Sequence, residues 1–287
     1  MKSFKINLMD LLALILLTFS YFLPFLGQHL GINGNVLLML INCYLIGYLA
    51  YVISFMDTKK VLLMAIPLIL YSIFLIFFMR NFKLVFERQR LDDLVYVIIN
   101  LYDVIFVVFC FFLVEIVLTR IVGARATLGF GIVSFILYLV MQNSNILPFD
   151  FYYKDLLVYF FFYIMASRIK PAFQFNNFLI VLALIFLAGE IYLYMYLDYY
   201  PGFYFSIIIL TYLILKQSPD VQYVSQERYL FFTYLYPYKV NYVLLKTVIN
   251  ASPLVITLIS VLISFIIGEF LYKLRIKFLD HIFVGIH

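Results

Sequence analysis

Long apolar stretches separated by short polar loops dominate the hydrophobic pattern of this chain. Most stretches approach the roughly 20 residues that an α-helix needs to cross a bilayer, and they lack the short alternating segments of a membrane β-barrel. The pattern predicts an all-α fold, a polytopic transmembrane helical bundle with about ten spans. The predicted spans are residues 6–28, 34–56, 60–79, 94–119, 127–143, 154–168, 177–197, 201–217, 229–248 and 253–273.

Composition excludes a soluble domain. The chain has 287 residues, of which 66% are hydrophobic and 12% charged, and its mean hydropathy is +1.07. Soluble domains contain about 25% charged residues, twice the share found here. No long polar segment is present, so we expect a single integral membrane domain over residues 1–287, with any chemistry in or beside the bilayer. Cys43 and Cys110 lie in apolar spans without metal-binding spacing and are interpreted as packing residues.

The distribution of basic residues predicts the orientation. Cytoplasmic loops of membrane proteins are enriched in Lys and Arg, and ten spans place most basic residues on the side of the N-terminus. Both termini are therefore expected in the cytoplasm, with residues 274–287 forming a short basic tail. The basic groups on that side are Lys2/Lys5, Lys59/Lys60, Arg120/Arg125, Arg168/Lys170, Lys216/Arg228 and Lys273/Arg275/Lys277.

One segment conflicts with this orientation. Residues 80–93, RNFKLVFERQRLDD, carry four basic residues although the ten-span count places them outside. Phe82, Val85, Phe86 and Gln89 recur at helical spacing, which indicates an amphipathic helix lying at the membrane interface. If the segment is cytoplasmic instead, one of the first three predicted spans is wrong.

The strongest candidate site lies in residues 229–246, YLFFTYLYPYKVNYVLLK. Within this apolar helix, Lys239 would lie at hydrocarbon depth, where a lysine costs roughly 2.5–3.5 kcal/mol and usually faces a partner or a wet cavity. Pro237 removes a helical hydrogen bond, so a backbone carbonyl must find another donor. Lys239 is the one candidate catalytic residue, although the catalytic role itself is left open. The predicted substrate-binding residues are Asn100, Asp103, Glu190, Tyr236 and Lys239.

Two interpretations of these polar residues stay open. They form either a structural ion pair or wet crevice, or a binding site for a polar headgroup or peptide. Asp10, Glu269 and Lys246 lie near span ends, where snorkelling or headgroup contact is the ordinary explanation. No zinc, phosphate-loop or serine-hydrolase motif is present, so no metal and no cofactor are expected. The expected partners are membrane lipids, a lipid-linked or cell-surface substrate and a protein partner, but not nucleic acid.

Three stretches of the sequence resemble motifs of a known family and follow one another in the same order. They run from Ala13 to Ser20-Tyr21, from Gly34 to Ile46-Gly47-Tyr48, and from Phe231 to Lys239. Together they look like the first helix, the second helix and the late Tyr-Pro-Leu-His motif of the TraX-like family of polytopic membrane acetylases, which is similar in layout to the acyltransferase-3 family. The resemblance covers about a third of the chain and implies a protein of a bacterial cell envelope, in the cytoplasmic membrane.

The polar positions of that family are replaced in this chain. Ser20-Tyr21 stands where the family has an Asp-His pair, and Lys239 stands where the late motif has its histidine. Asn35 replaces an arginine and Ile46 an acid. In that family, the histidine and acid are thought to move the proton during acyl transfer, which is the work of a general base. The resemblance therefore implies an acyltransferase-like scaffold that has lost the reaction, although a desolvated lysine can act as a base.

Three functional hypotheses follow. In the first, the protein binds or modifies a lipid-linked or cell-surface substrate on this scaffold. In the second, it is a transporter or channel-like subunit, with Asp103, Glu190 and Lys239 lining a pathway and helices broken at Pro24, Pro67 and Pro237. In the third, it is a membrane assembly or immunity partner without a small-molecule site.

Overall fold

A computed structural model describes residues 8–30, 34–81, 103–143, 155–168, 181, 185, 188–189, 225–274 and 276–285. The described residues are helical or lie in short turns, and none of them is in a strand. The helices are α1 (Leu8–Leu30), α2 (Gly34–Ser54), α3 (Thr58–Leu63), α4 (Ala65–Asn81), α5 (Asp103–Val122), α6 (Ala124–Asn143), α7 (Asp155–Arg168), α8 (Gln226–Leu235), α9 (Pro237–Val248), α10 (Pro253–Leu274) and α11 (Lys277–Phe283).

The prediction of an all-α fold is confirmed for the described residues, which include helices long and apolar enough to span a membrane. Among the described residues, four helical stretches are long and apolar enough to cross a membrane: Thr58–Phe78, Val104–Val122, Ala124–Met141 and Pro253–Leu274. The predicted spans 177–197 and 201–217, and all but the first two residues of segment 80–93, lie outside the described residues or include only isolated ones. The count of ten spans therefore stays a prediction.

Helix α10 has the surface of a membrane helix. Four of its six buried residues are small or hydroxylated, whereas large apolar side chains cover the opposite face. The buried residues include Thr257, Ser260, Ser264 and Gly268, and the exposed ones include Leu258, Leu262, Ile266 and Phe270, all more than half exposed. Small residues let membrane helices approach closely, while lipid tails accommodate the exposed apolar side chains. In water, this arrangement would leave a large apolar face uncovered.

The chain divides into two compact units that alternate along the sequence. Unit 1 comprises Met1–Gly34, Met56–Phe106 and Gln222–His287, and unit 2 comprises Asn35–Phe55 and Val107–Val221. Each unit draws on distant parts of the sequence, so neither is a contiguous domain. The expectation of one integral membrane domain stays a prediction.

In unit 1, α1 runs parallel to α8 and α9, whereas α10 runs antiparallel to them. Asp10 near the start of α1 contacts Arg228 near the start of α8, and Tyr21 further along α1 contacts Tyr234. Gln226 at the start of α8 contacts Glu269 near the end of α10. The start of α1, the start of α8 and the end of α10 therefore meet at one end of unit 1.

The helix predicted over residues 229–248 is broken at Tyr236, directly before Pro237. Helix α8 ends at Leu235 and α9 begins with Pro237, whose missing N–H is tolerated in a first helical turn. The last carbonyls of a helix lack intrahelical partners. The Tyr21 hydroxyl donates a 3.1 Å hydrogen bond to the carbonyl of Tyr234, close to the end of α8. The break expected from Pro237 is thus present, and α1 supplies a donor beside it.

In unit 2, α6 and α7 pack as an antiparallel pair. Gly131 contacts Ile164, and Ser134 donates a hydrogen bond to the carbonyl of Leu157. A later residue of α6 therefore contacts an earlier residue of α7, as expected for antiparallel helices. The buried core beside this pair contains Cys43, Phe135, Tyr138, Val158, Phe161 and Phe162. Burial of Cys43 among aromatic rings agrees with its interpretation as a packing residue.

The contact between Gly131 and Ile164 yields a prediction with an internal control. A Cβ at Gly131 would lie 3.1 Å from Ile164 Cγ2, whereas a Cβ at Gly129 would have no atom within 4 Å. We expect Gly131→Val to lower the free energy of unfolding by about 1–3 kcal/mol more than Gly129→Val, because overpacking strains a filled interface. Thermal unfolding of the two variants in detergent measures the difference, and equal stabilities would contradict the packing described for α6 and α7.

Candidate functional site

The structure describes the predicted site residues unequally. Tyr236 is fully buried, and Lys239 is half-buried in the first turn of α9. Asp103 begins α5, but its side chain lies outside the described part of the chain, as do Asn100 and Glu190 entirely. The grouping of these residues into one binding site therefore stays a prediction.

Lys239 lies beside a stack of tyrosine rings. Its ammonium Nζ is 5.7 Å from the ring centroid of Tyr21, a distance at which the ring's negative face attracts a cation. The ring of Tyr21 also stacks on that of Tyr238, with centroids 3.5 Å apart and planes 9° from parallel. Tyr242 follows Tyr238 at 6.1 Å. The Tyr21–Lys239 site, defined as Tyr21, Tyr238, Lys239 and Tyr242, thus combines a positive charge with an aromatic wall.

The Tyr21–Lys239 site lies near the middle of α1 rather than at its end. Tyr21 is the fourteenth residue of the 23-residue helix α1. At about 1.5 Å per residue, its Cα is about 20 Å from the start of a helix that is about 35 Å long. A bilayer's hydrocarbon core is about 30 Å thick, so a spanning α1 would carry this cationic site well inside the membrane.

Tyr236 has a structural partner. Its hydroxyl donates a 2.8 Å hydrogen bond to the carbonyl of Met64, the residue between α3 and α4. Its ring also stacks at 6.2 Å from that of Tyr71. Tyr236 therefore ties the break between α8 and α9 to the break between α3 and α4. The predicted contact of Tyr236 with a substrate stays a prediction.

A buried ion pair that the sequence did not predict lies at the end of unit 1 where α1 and α8 begin. The Arg228 Nε is 3.0 Å from Asp10 Oδ1, and both side chains are almost completely buried. Ser225 donates a 2.7 Å hydrogen bond to Asp10 Oδ2 and accepts one from the backbone N–H of Arg228 as the N-cap of α8. One serine thus caps the helix and orients the carboxylate that holds the arginine.

The expected snorkelling of Asp10 is wrong, because its carboxylate is buried and paired. The sequence offered one signal for the cap, since Ser225 followed by Gln226 and Glu227 is a common start of a helix. It offered none for the pairing, because 218 residues separate Asp10 from Arg228. Lys246, by contrast, is exposed near the end of α9, which agrees with snorkelling.

Two further contacts extend this polar end of unit 1. Gln226 donates to the carboxylate of Glu269, and Tyr229 donates a 2.7 Å hydrogen bond to Asp280 in α11. The segment predicted as a basic tail therefore includes a helix that packs on α4, where Phe283 contacts Tyr71. Its cytoplasmic location stays a prediction.

Unit 2 contains a second ion pair, which is more accessible. Arg168 Nη2 lies 2.9 Å from Glu115 Oε1, and the two side chains are 31% and 16% exposed. The same nitrogen donates a 2.9 Å hydrogen bond to Thr119, and Ser167 donates to Glu115 at 3.3 Å. Unlike the pair in unit 1, this pair has part of both side chains exposed at the protein surface.

In the part of the chain that the structure describes, no three His, Cys, Asp or Glu side chains come close enough to hold a metal ion. Comparisons with protein-family models, curated proteins and solved structures found no match to this chain. The functional argument therefore rests on the two cationic features, the Tyr21–Lys239 site and the ion pair of Arg168.

The buried pair of unit 1 predicts a large loss of stability when one partner is removed. We expect Asp10→Ala to lower the free energy of unfolding by about 3–5 kcal/mol, because it leaves the Arg228 charge buried without its carboxylate. The double variant Asp10→Ala/Arg228→Met should recover part of the loss, since neither charge then remains. Thermal unfolding in detergent tests this, with Glu227→Ala as the control for loss of a neighbouring carboxylate. An Asp10→Ala variant as stable as the control would refute the structural role of the pair.

Proposed function

We propose that this protein is a multi-pass protein of the bacterial cytoplasmic membrane that binds an anionic, lipid-linked or cell-surface substrate at the Tyr21–Lys239 site without transferring an acyl group. The observation that carries the proposal is the position of the Lys239 ammonium, which lies 5.7 Å from the Tyr21 ring, near the middle of α1 and next to the break between α8 and α9. An intramembrane cation is costly to insert, and such residues commonly mark substrate pathways or binding sites.

The resemblance to the TraX-like family supports the choice of this site. Tyr21 and Lys239 stand where the family's first-helix and late motifs carry histidines, and they contact each other although 218 positions separate them. The Tyr21 hydroxyl donates to a backbone carbonyl, an arrangement that holds the ring in place rather than activating a substrate. This supports a degenerate acyltransferase-like scaffold that retains binding.

The chemistry of the site favours an anion carried by an apolar molecule. The Lys239 ammonium supplies the positive charge, and the half-buried ring of Tyr242, which stacks on the buried Tyr238, supplies apolar surface beside it. A phosphate or carboxylate group attached to a lipid would combine both contacts, because its charge would pair with the lysine while its chain remained in the hydrocarbon.

The proposed topology has ten spans with both termini in the cytoplasm. Two groups of helix-end contacts among the described residues, one in each unit, are compatible with this proposal. In unit 1, the start of α1, the start of α8 and the end of α10 meet. In unit 2, the end of α5, the start of α6 and the end of α7 meet, because Thr119 contacts both Thr127 and Arg168. The positive-inside rule places each of these ends on the cytoplasmic side.

The binding proposal is tested by replacing the two lysines of α9 separately. We expect Lys239→Met to weaken binding of an isoprenoid lipid phosphate at least about tenfold, since loss of one desolvated charge pair is worth more than 1.4 kcal/mol. Lys246→Met is the matched control, because Lys246 is exposed on the same helix and should bind like the wild type.

Native mass spectrometry of the purified full chain in detergent can measure both affinities. Equal affinities of wild type and Lys239→Met would overturn the site. Transfer of an acetyl group from a soluble donor to the lipid by the wild type, abolished in Lys239→Met, would instead establish Lys239 as a catalytic residue.

The helix break between α8 and α9 favours one alternative, a transporter or channel-like subunit. Discontinuous helices commonly surround the binding sites of secondary transporters. Such a protein should carry solute across proteoliposomes, and Asp103→Asn or Glu190→Gln should reduce the flux at least about tenfold because each removes a charge from the pathway. Flux that both variants leave unchanged would argue against a pathway lined by these acids.

A further inference from the structure

Three arginines gather at the end of unit 2 where α5, α6 and α7 meet. Helix α5 ends at Val122, Gly123 turns the chain with a φ of 85°, and α6 begins at Ala124. Arg120 precedes this turn, Arg125 follows it, and Arg168 is the last residue of α7. We call Arg120, Arg125 and Arg168 the arginine end of unit 2.

The guanidinium of Arg168 is held in place by its neighbours. Its Nη2 contacts both Glu115 and Thr119 at 2.9 Å, and Thr119 lies 3.4 Å from Thr127 on the next helix. Two residues of α5 thus hold the guanidinium, and Thr127 of α6 contacts one of them, which reduces the side-chain entropy that a ligand would otherwise have to offset.

This fixed guanidinium still has hydrogen-bonding capacity. Its Nε is buried and has no hydrogen-bond partner among the described residues, while 31% of the side chain is exposed. A buried N–H without an acceptor is costly, and a planar guanidinium fits the oxygens of a phosphate. An anionic oxygen would reach the exposed part of the side chain rather than the buried Nε.

The charge balance at the arginine end is positive. Glu115 pairs with Arg168, and counting it against the three arginines leaves an excess of two positive charges (3 − 1). The sequence contains no Asp or Glu between residues 116 and 143. Arg120 and Arg125 are exposed, so their charges are accessible to a ligand.

Apolar side chains beside the arginines are equally accessible. Val117 is 53% exposed and Ile121 74% exposed on the last turns of α5, a helix long and apolar enough to cross the membrane. A ligand at this end would therefore contact the arginine side chains with its headgroup and the neighbouring apolar side chains with its acyl chains. Basic clusters at the cytoplasmic ends of transmembrane helices recognise anionic headgroups in this way.

We propose that the arginine end of unit 2 binds the phosphate group of an anionic phospholipid of the cytoplasmic leaflet, with Arg168 as the fixed contact and Arg120 and Arg125 as the accessible charges. The site is independent of Lys239, because the residues of the two sites belong to different units. Binding at the arginine end makes the protein selective for anionic over zwitterionic lipid.

The experiment compares lipids with identical acyl chains. Native mass spectrometry of the delipidated full chain in detergent measures its apparent affinity for dioleoyl-phosphatidylglycerol and for dioleoyl-phosphatidylcholine. We expect the wild type to prefer phosphatidylglycerol. Arg120→Gln/Arg125→Gln should weaken binding of phosphatidylglycerol about 25-fold, at about fivefold per charge. It should weaken binding of phosphatidylcholine much less, because the choline cation offsets the charge of that phosphate. Both residues are exposed, so this variant should keep the fold.

Matched controls separate this site from general electrostatics and from the other proposal. Lys246→Gln/Lys273→Gln removes two exposed charges from unit 1 and should change neither affinity more than about twofold. In a Lys239→Met background, Arg120→Gln/Arg125→Gln should still weaken binding of phosphatidylglycerol about 25-fold, so failure at one site is distinguishable from failure at the other. Glu115→Gln/Arg168→Gln tests the fixed contact without leaving an unpaired carboxylate, and should also lose affinity for phosphatidylglycerol.

Three results would overturn the proposal. The first is a wild type that binds the two lipids equally, and the second is an Arg120→Gln/Arg125→Gln variant that keeps its affinity for phosphatidylglycerol. The third is displacement of phosphatidylglycerol by an equal concentration of inorganic phosphate, which would identify a site for free phosphate rather than for a lipid.

Discussion

Unit 1 depends on the requirement that polar groups within a membrane find partners inside the protein. Its two helix breaks meet this requirement with tyrosine hydroxyls. Tyr21 donates to the carbonyl of Tyr234 beside the Pro237 break, and Tyr236 donates to the carbonyl of Met64 between α3 and α4. Because each bond joins distant parts of the chain, the same contacts that satisfy the backbone also set how α1, α4, α8 and α9 pack.

The two ion pairs illustrate different uses of charge. Asp10 and Arg228 are almost fully buried, and Ser225 completes their hydrogen bonding, which suits a contact that fixes helix positions. Glu115 and Arg168 keep part of their surface accessible, and one nitrogen of Arg168 has no acceptor among the described residues. Burial, rather than the presence of a pair, distinguishes a structural contact from one that can also serve a ligand.

The sequence was informative where a physical rule acts locally. Apolar length predicted the helices, and Pro237 predicted the break after α8, because both effects depend on residues within one or two turns. Pairing across the chain was not predictable in the same way. Asp10 was assigned to the interface although it is buried, and the Arg228 predicted for a cytoplasmic loop lies inside α8. Neither periodicity nor composition relates two residues separated by 218 positions.

The separation of Asp10 from Arg228 has a consequence for biogenesis. A ribosome adds about 5–20 residues per second, so roughly 10–40 seconds pass between synthesis of the two partners, given the 218 residues between them. During that interval, the nascent first helix carries a carboxylate whose counterion has not been made. Closure of unit 1 must therefore follow synthesis of α1 by this interval, because the contact cannot form until α8 has also been made.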